Sequence, residues 1–347
     1  MREGLKRSLL IVASIVATLV ALELGLRAST WGYLFTWPNF VLDARTVLAE
    51  RDGQRYLHDA RLGYVPRPGY STAGITIGDD GLRRSGFAVS EAPILAVGDS
   101  FTFGDEVPDG DTWPAALEHI TGKQVLNGGV SGYGFDQTVL RAEQLAWKYK
   151  PAAIVVSFIA DDIRRTEMRR QWGAEKPYFD LQSDALVLHN VPVPTRPDPR
   201  TTLTFCQRTL GHSVLFDFVL RRLDLLYDWF GDHVRVHRPG EGGRIACLLT
   251  ERLRELQVSS GARVFVLAEY DPMVWQDPEF SAEQRRMVRS LLACARQRGL
   301  GTIDSFEALA GAPGGPRGLY GLWHMNDKGN RLIAGLVADA LAQGATR

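Results

Sequence analysis

The stretch Ile94-Leu95-Ala96-Val97-Gly98-Asp99-Ser100-Phe101-Thr102-Phe103-Gly104 decides the fold of this chain. Its first four apolar residues predict a buried strand, and Gly98-Asp99-Ser100 ends that strand with residues typical of turns. A serine in this position stands at the carboxyl edge of a sheet, where open α/β folds place their active sites. An ordinary strand-to-helix turn has the same pattern, so a chemical role for Ser100 depends on residues further along the chain.

From residue 93 onward, short apolar runs alternate with amphipathic stretches. The apolar runs predict strands over 93–97, 124–127, 153–159, 263–268 and 301–304. The amphipathic stretches predict helices near 113–121, 136–149, 244–259, 282–298 and 327–342. This alternation predicts an α/β fold of three layers, with a central parallel sheet of about five strands covered by helices on both faces.

The N-terminus has the pattern of a membrane signal anchor. Three basic residues, Arg2, Lys6 and Arg7, precede an almost wholly apolar run from Leu9 to Leu26, close to the roughly 20 residues that span a bilayer. Aromatic residues suited to an interfacial belt follow this run: Trp31, Tyr33 and Trp37. We expect residues 1–29 to form the cytoplasmic end and a single transmembrane helix, with the remainder on the periplasmic, extracytoplasmic side. A cleaved signal peptide is the alternative, and it exports the same domain.

Two further regions lie outside the alternating pattern of strands and helices. Residues 30–92, rich in Gly, Pro and Arg, predict a lead-in segment that packs on the main domain of residues 93–347. An insertion at about 163–243 contains a predicted hairpin around Ser183-Asp184. It also carries a helical apolar stripe: Leu215, Val219, Leu223, Leu226 and Phe230. We expect the stripe to pack in a core, with a cap over the substrate or a membrane-facing surface as alternatives.

Composition restricts the classes of partner and cofactor. The 347 residues include 40 Lys plus Arg and 40 Asp plus Glu, so net charge gives no case for nucleic-acid binding. No zinc-like or phosphate-loop signature occurs, and we expect neither a metal nor an organic cofactor. Cys206, Cys247 and Cys294 are odd in number and far apart, which predicts buried free thiols rather than a disulfide.

Serine hydrolysis needs a nucleophile, a base within hydrogen-bond reach and donors for the oxyanion. Ser100 supplies a hydroxyl and its own N–H, and the glycine-rich run Asn127–Gly134 after the second strand leaves backbone free to approach a ligand. The third strand ends in Asp161 and Asp162. His324 stands just before the last helix, where a returning loop would bring a base to the sheet edge.

These pieces, in this order, resemble the SGNH/GDSL hydrolase family and look like a membrane-anchored bacterial member. Gly98-Asp99-Ser100 matches the first block, with Ser100 as nucleophile. Gly132 matches the oxyanion glycine of the second block, and His324 matches the base of the last block. The resemblance implies the SGNH, flavodoxin-like arrangement of layers, and a hydrolase that needs no cofactor.

The chain departs from the family pattern at two positions. Asp161 stands where the family has an oxyanion-binding asparagine, and a carboxylate donates there only if burial keeps it protonated. Gly321 stands where the family has the acid that orients the histidine. We expect the Gly321 backbone carbonyl to orient His324, as in family members with a Ser–His dyad, or Asp304 to do so from the end of the fifth strand.

The resemblance implies a serine esterase or lipase-like hydrolase that cleaves a lipid or an acylated carbohydrate through an acyl-enzyme on Ser100. One alternative is an O-acetyltransferase that passes the acyl group to a hydroxyl of a cell-envelope polysaccharide. Another is a catalytically impaired binding protein with the same fold, which the replacements at Asp161 and Gly321 favour.

Overall fold

The computed structural model describes residues 2–30, 33–85, 92–183 and 185–343. Contacts divide the chain into two units, one of residues 1–53 and 196–233 and the other of residues 54–195 and 234–347. The strands, in chain order, are β1 (Tyr56–Asp59), β2 (Gly63–Pro66), β3 (Ser71–Thr72), β4 (Ile75–Thr76), β5 (Ile94–Val97), β6 (Val125–Asn127), β7 (Ala153–Phe158), β8 (Met168–Gln171), β9 (Ala174–Glu175), β10 (Tyr178–Gln182), β11 (Ala185–His189), β12 (Val234–Arg235), β13 (Arg263–Ala268) and β14 (Gly301–Asp304).

The helices alternate with these strands over much of the larger unit. In chain order they are α1 (Arg2–Ser29), α2 (Phe40–Arg55), α3 (Ser100–Phe103), α4 (Trp113–Thr121), α5 (Phe135–Tyr149), α6 (Ala160–Arg165), α7 (Phe205–Leu210), α8 (Val214–Arg222), α9 (Leu226–Phe230), α10 (Gly242–Ser260), α11 (Pro278–Gln297), α12 (Phe306–Ala310) and α13 (Asp327–Gln343). Short 3₁₀ turns lie at Asp109–Asp111, Pro272–Trp275 and Pro316–Leu319.

The larger unit is built on a parallel sheet, which within the described residues has five strands in the order β14-β13-β7-β5-β6. All residues of β5, β6 and β7 are buried, as expected for strands covered on both faces. Helices α4 and α13 pack on each other, and α10 packs on both α5 and α11. The predicted three-layer α/β fold with a central parallel sheet is therefore confirmed.

Helix boundaries follow local capping chemistry. Thr112 accepts a hydrogen bond from the Ala115 N–H at the start of α4, and Pro114 occupies the first turn. Helix α11 begins at Pro278, four residues before the predicted start, because Asp277 caps it and accepts from two backbone N–H groups. The predicted strands and helices are otherwise close to those in the structure.

Residues 54–85 of the lead-in and the first part of the insertion add small sheets to the larger unit. Strand β1 pairs antiparallel with β2, and β10 pairs with β11 in the hairpin expected from the sequence. Asp184, which was predicted in its turn, lies outside the described residues. Arg83 forms an isolated bridge to Asn127 and so joins the lead-in to the end of β6.

The smaller unit contains α1, most of α2 and helices α7 to α9. Helix α1 is long and apolar enough to span a membrane, with a mean hydropathy of 2.5 over an 18-residue window, a property that an N-terminal signal sequence shares. Glu23 accepts hydrogen bonds from the Val214 and Leu215 N–H groups at the start of α8, and Arg27 pairs with Glu23. Tyr33 and Trp37 are among the described residues, whereas Trp31 is outside them.

Core packing was the expected role of the apolar stripe in α8 and α9, and it is wrong for part of the stripe. Leu223 is 61% exposed and Val219 is 40% exposed, whereas Leu220 is buried. The exposed side chains therefore lie outside the interior of the smaller unit.

The prediction for the cysteines is also wrong. Cys247 of α10 and Cys294 of α11 form a disulfide, with their Cα atoms 5.4 Å apart across a sequence separation of 47 residues. Cys206 is a free and exposed thiol. The pairing follows from the side-by-side packing of α10 and α11, which no sequence spacing encodes.

Candidate active site

Ser100 begins helix α3 directly after the turn that ends β5. Asp99 caps this helix, because its carboxylate accepts a hydrogen bond from the Phe101 N–H at 2.9 Å. Gly98 has no room for a side chain, since a Cβ there would lie 2.2 Å from Oγ1 of Thr102. The strand-turn-helix connection therefore fixes Ser100 at the carboxyl edge of the sheet, as the sequence predicts.

His324 reaches Ser100 from the loop before α13. A tight turn holds this loop, with the Gly321 N–H donating to the His324 carbonyl at 2.8 Å and Tyr320 bridging to Met325. The imidazole Nε2 lies 2.9 Å from the Ser100 hydroxyl, and the ring packs 5.1 Å from that of Phe101. The structure thus brings together the predicted nucleophile and base, which are 224 residues apart in the chain.

The other ring nitrogen of His324 faces a carboxylate that the sequence analysis did not single out. Nδ1 of His324 lies 3.1 Å from Oε1 of Glu106. The Glu106 carboxylate also accepts from the Leu322 N–H at 2.7 Å and from the Trp323 N–H at 2.9 Å. Partial burial raises the pKa of Glu106, but the hydrogen bonds from His324, Trp323 and Leu322 outweigh it and lower the pKa below its ordinary value.

The hydrogen bond of His324 Nδ1 goes to Glu106, and not to either of the two groups proposed from sequence to orient this ring. Gly321 contributes its N–H to the turn, and Nδ1 of the imidazole faces Glu106 rather than the Gly321 carbonyl. Asp304 accepts from the Tyr270 hydroxyl at 2.9 Å and from the Phe306 N–H at 3.1 Å. Asp304 therefore stabilises the connection between the end of β14 and the start of α12.

The glycine-rich loop after β6 lies against the end of β5 and the turn that leads to Ser100. The Gly128 N–H donates to the Ala96 carbonyl at 2.8 Å, and the Val130 N–H donates to the Gly98 carbonyl at 3.0 Å. Gly132 follows with φ +80°, a conformation that side chains disfavour. Because strands β5 and β6 are neighbours, this loop and Ser100 share one edge of the sheet.

Aromatic residues from two other segments surround Gly132. A Cβ at this position would lie 2.8 Å from Cζ3 of Trp172 and 3.0 Å from the hydroxyl oxygen of Tyr64. Tyr64 also donates to the Ser131 carbonyl at 2.9 Å. Gly132 is therefore required both for its backbone conformation and for the close approach of the Trp172 indole.

Asp161 is not buried in the structure. Its side chain is 45% exposed and pairs with Arg165, whose Nη2 lies 3.0 Å from Oδ2 of Asp161. The same guanidinium contacts Asp162 through Nη1 at 2.5 Å and lies 3.5 Å from Asp99. The structure thus places Asp161 in an ion-pair cluster around Arg165.

Sequence reasoning missed Glu106 and Arg165 among the residues around Ser100. Glu106 follows the nucleophile by six residues, after the left-handed Gly104 that ends α3. Arg165 is separated from Asp161 by one helical turn, so an i,i+4 ion pair was a usable signal. No group of three or more His, Cys, Asp or Glu side chains suited to a metal ion occurs among the described residues.

Comparison with known proteins agrees with this architecture. The family model of the GDSL-like lipase/acylhydrolase family matches residues 96–332. The chain therefore belongs to this family of ester hydrolases. A search of curated protein sequences found no match.

Several solved structures are similar to this chain at low sequence identity. TesA is 14% identical, with 72% of this chain and 98% of TesA covered at a TM-score of 0.43. The esterase EstA from Pseudoalteromonas sp. is 11% identical, with 74% and 99% covered at a TM-score of 0.42. A lipase/acylhydrolase from Enterococcus faecalis is 15% identical, with 73% and 96% covered at a TM-score of 0.40.

Proposed function

We propose that this chain is a serine esterase in which Ser100 forms an acyl-enzyme and His324 is the general base. The observation that carries the proposal is the 2.9 Å contact between Nε2 of His324 and the Ser100 hydroxyl. This distance is within the range in which an imidazole accepts a hydroxyl proton. Family membership supports ester bonds as the target.

The reaction proceeds in two halves. The Ser100 oxygen bonds to the ester carbonyl carbon while its proton passes to Nε2 of His324, and the carbonyl oxygen becomes an oxyanion. The N–H groups of Ser100 and Gly132 stabilise that oxyanion. His324 then gives the proton to the departing alcohol, and water, deprotonated by the same nitrogen, releases the acid and restores Ser100.

The test uses the full-length chain in detergent with a fluorophosphonate probe and p-nitrophenyl acetate. We expect the parent to be labelled and to hydrolyse the ester, and Ser100→Ala and His324→Ala to do neither. Cys206→Ala, which removes an exposed thiol in the other unit, is the matched control and should behave as the parent. A folded parent that is neither labelled nor active would favour the binding-protein alternative.

A second candidate is transfer of the acyl group to a carbohydrate hydroxyl. Trp172 beside Gly132, and Trp323, which adjoins His324 and is 58% exposed, favour a sugar ring because indoles provide flat apolar surfaces. An acetyl ester supplied with and without oligosaccharide distinguishes the two. Acetylated sugar at the expense of free acetate supports transfer, and unchanged acetate release supports hydrolysis.

We also propose that the catalytic unit is extracytoplasmic and held to the membrane by α1. The apolar length of α1 supports the anchor, and the Cys247–Cys294 disulfide supports an oxidising compartment. Reporter fusions at the C-terminus test the side of the membrane. N-terminal sequencing of the membrane-extracted protein distinguishes an intact anchor from a cleaved signal peptide.

A further inference from the structure

We infer that Glu106 is the positioning acid of His324, and that position 321 is glycine because the Glu106 carboxylate fills the space next to it. The family's acid stands three residues before the histidine, at the position of Gly321 in this chain. In this chain the carboxylate that faces His324 comes instead from the segment that follows Ser100. This inference rests on the proposed function of Ser100 and His324.

The contacts of Glu106 are those needed to orient an imidazole. One carboxylate oxygen lies 3.1 Å from Nδ1 of His324, on the side of the ring opposite Ser100. Both oxygens are also held by backbone donors, the N–H groups of Leu322 and Trp323. Because these donors belong to the residues just before His324, one carboxylate fixes both the ring and the loop that carries it.

The space at Gly321 explains why an acid at position 321 and the Glu106 carboxylate exclude each other. A Cβ at position 321 would lie 2.5 Å from Oε2 of Glu106, whereas the next nearest atoms are at 3.7 and 3.8 Å. The φ angle of Gly321 is outside the left-handed range, so the backbone itself accepts a side chain. The obstacle to a side chain at position 321 is therefore the Glu106 carboxylate.

The backbone on both sides of Glu106 is held firmly. Gly104, at φ +84°, ends α3 after one turn and redirects the chain. Buried Arg83 donates to the carbonyls of Phe103 and Gly104 before Glu106, and to the Val107 carbonyl after it. A lead-in residue thus fixes the position from which the Glu106 side chain reaches His324.

The movement of the proton indicates that Glu106 acts electrostatically. When Nε2 of His324 takes the Ser100 proton, the ring becomes an imidazolium with its Nδ1–H directed at Glu106. The lowered pKa of Glu106 keeps its carboxylate ionised at neutral pH, so it stabilises that cation without accepting the proton. It also fixes the neutral ring in the tautomer whose Nε2 is free to act as a base.

The test measures kcat, KM and thermal unfolding of full-length variants with p-nitrophenyl acetate. We expect Glu106→Gln to lower kcat by about 10²- to 10⁴-fold, with KM and the unfolding temperature little changed. We expect Gly321→Ala to lower kcat in the parent, because it displaces the carboxylate, and to cost nothing further in Glu106→Ala.

Transplanting the acid gives the decisive comparison. Glu106→Ala/Gly321→Asp should recover at least about tenfold of the kcat lost in Glu106→Ala, because the new carboxylate enters the vacated space. Glu106→Ala/Gly321→Asn, which has the same shape without the charge, should not recover it. Recovery by both residues, or parental kcat in Glu106→Gln, overturns the inference.

Fluorophosphonate labelling separates this failure from failure of the proposed function. A labelled parent with parental kcat in Glu106→Gln leaves the Ser100 and His324 assignment intact and overturns only the role of Glu106. A folded parent without labelling or activity overturns both.

Discussion

Glu269 is a buried acid near Asp99, the residue before Ser100. We expect it to make the stability of the larger unit depend on pH. It follows β13 at the carboxyl edge of the sheet, is 1% exposed, and accepts a hydrogen bond from the Ser157 hydroxyl. Burial raises the pKa of Glu269 to about 8, and the nearby Asp99 carboxylate acts in the same direction, whereas the hydrogen bond from Ser157 opposes it. The folded protein therefore holds this side chain in its neutral form at pH 7.

The sign of the effect follows from comparison with the unfolded chain, where a glutamate has its ordinary pKa of 4.5. Between pH 4.5 and 8 the folded state retains a proton that the unfolded state has lost, so stability falls as pH rises. At about 1.4 kcal/mol per pH unit, the interval between the two pKa values amounts to about 5 kcal/mol. The penalty is absent below pH 4.5 and complete above pH 8.

Glu269→Gln retains the shape of the neutral acid and cannot ionise, so it should remove this penalty. Urea unfolding, followed by tryptophan fluorescence at pH 5, 7 and 9, gives the free energy of unfolding of both proteins. We expect the advantage of the glutamine variant to grow by a few kcal/mol from pH 5 to pH 9. Glu255→Gln, an exposed position on α10, is the control and should follow the parent. Parallel profiles for the parent and Glu269→Gln would refute the reasoning.

Three further predictions concern the disulfide and the oxyanion side of the site. Replacing Cys247 and Cys294 with alanine should lower the free energy of unfolding by about 4 kcal/mol, because the disulfide closes a loop of 47 residues. Urea midpoints that neither the replacement nor a reductant changes would contradict this prediction. Gly132→Ala should lower kcat at least about tenfold, because the added Cβ meets Trp172 at 2.8 Å and moves the N–H group that we propose as an oxyanion donor. A parental kcat would argue against that role. Asp161→Asn should raise kcat by up to about 100-fold, because an amide that can donate a hydrogen bond replaces a carboxylate. An unchanged kcat would mean that this side chain faces away from the oxyanion.

Most of the central fold could be predicted because its signals are local. Strand β5 is four apolar residues followed by turn residues, and α4 has Thr112 and Pro114 at its start. The early start of α11 was equally local, since Asp277 and Pro278 are a cap and a first-turn proline. Where such signals were used, the predicted elements agree with the structure.

Ser100 and His324 could be placed for a related reason. Serine catalysis needs particular side chains at strand ends, and the parallel sheet brings those ends to one edge. The order of the motifs along the chain therefore predicts that these side chains meet at one edge of the sheet. Two side chains 224 residues apart are brought within 2.9 Å by a topology that the alternation of elements already indicates.

The sequence by itself determined the layered sheet, the apolar N-terminal helix and the places of Ser100 and His324 in the chain pattern, because periodicity and short motifs depend on neighbouring residues. Only the tertiary structure decided that Glu106 faces His324 and that Cys247 pairs with Cys294. An orienting carboxylate needs only to reach Nδ1, and a disulfide needs only two Cα atoms about 5.4 Å apart. Many chain positions satisfy such distance conditions, and the packing of loops and helices selects among them.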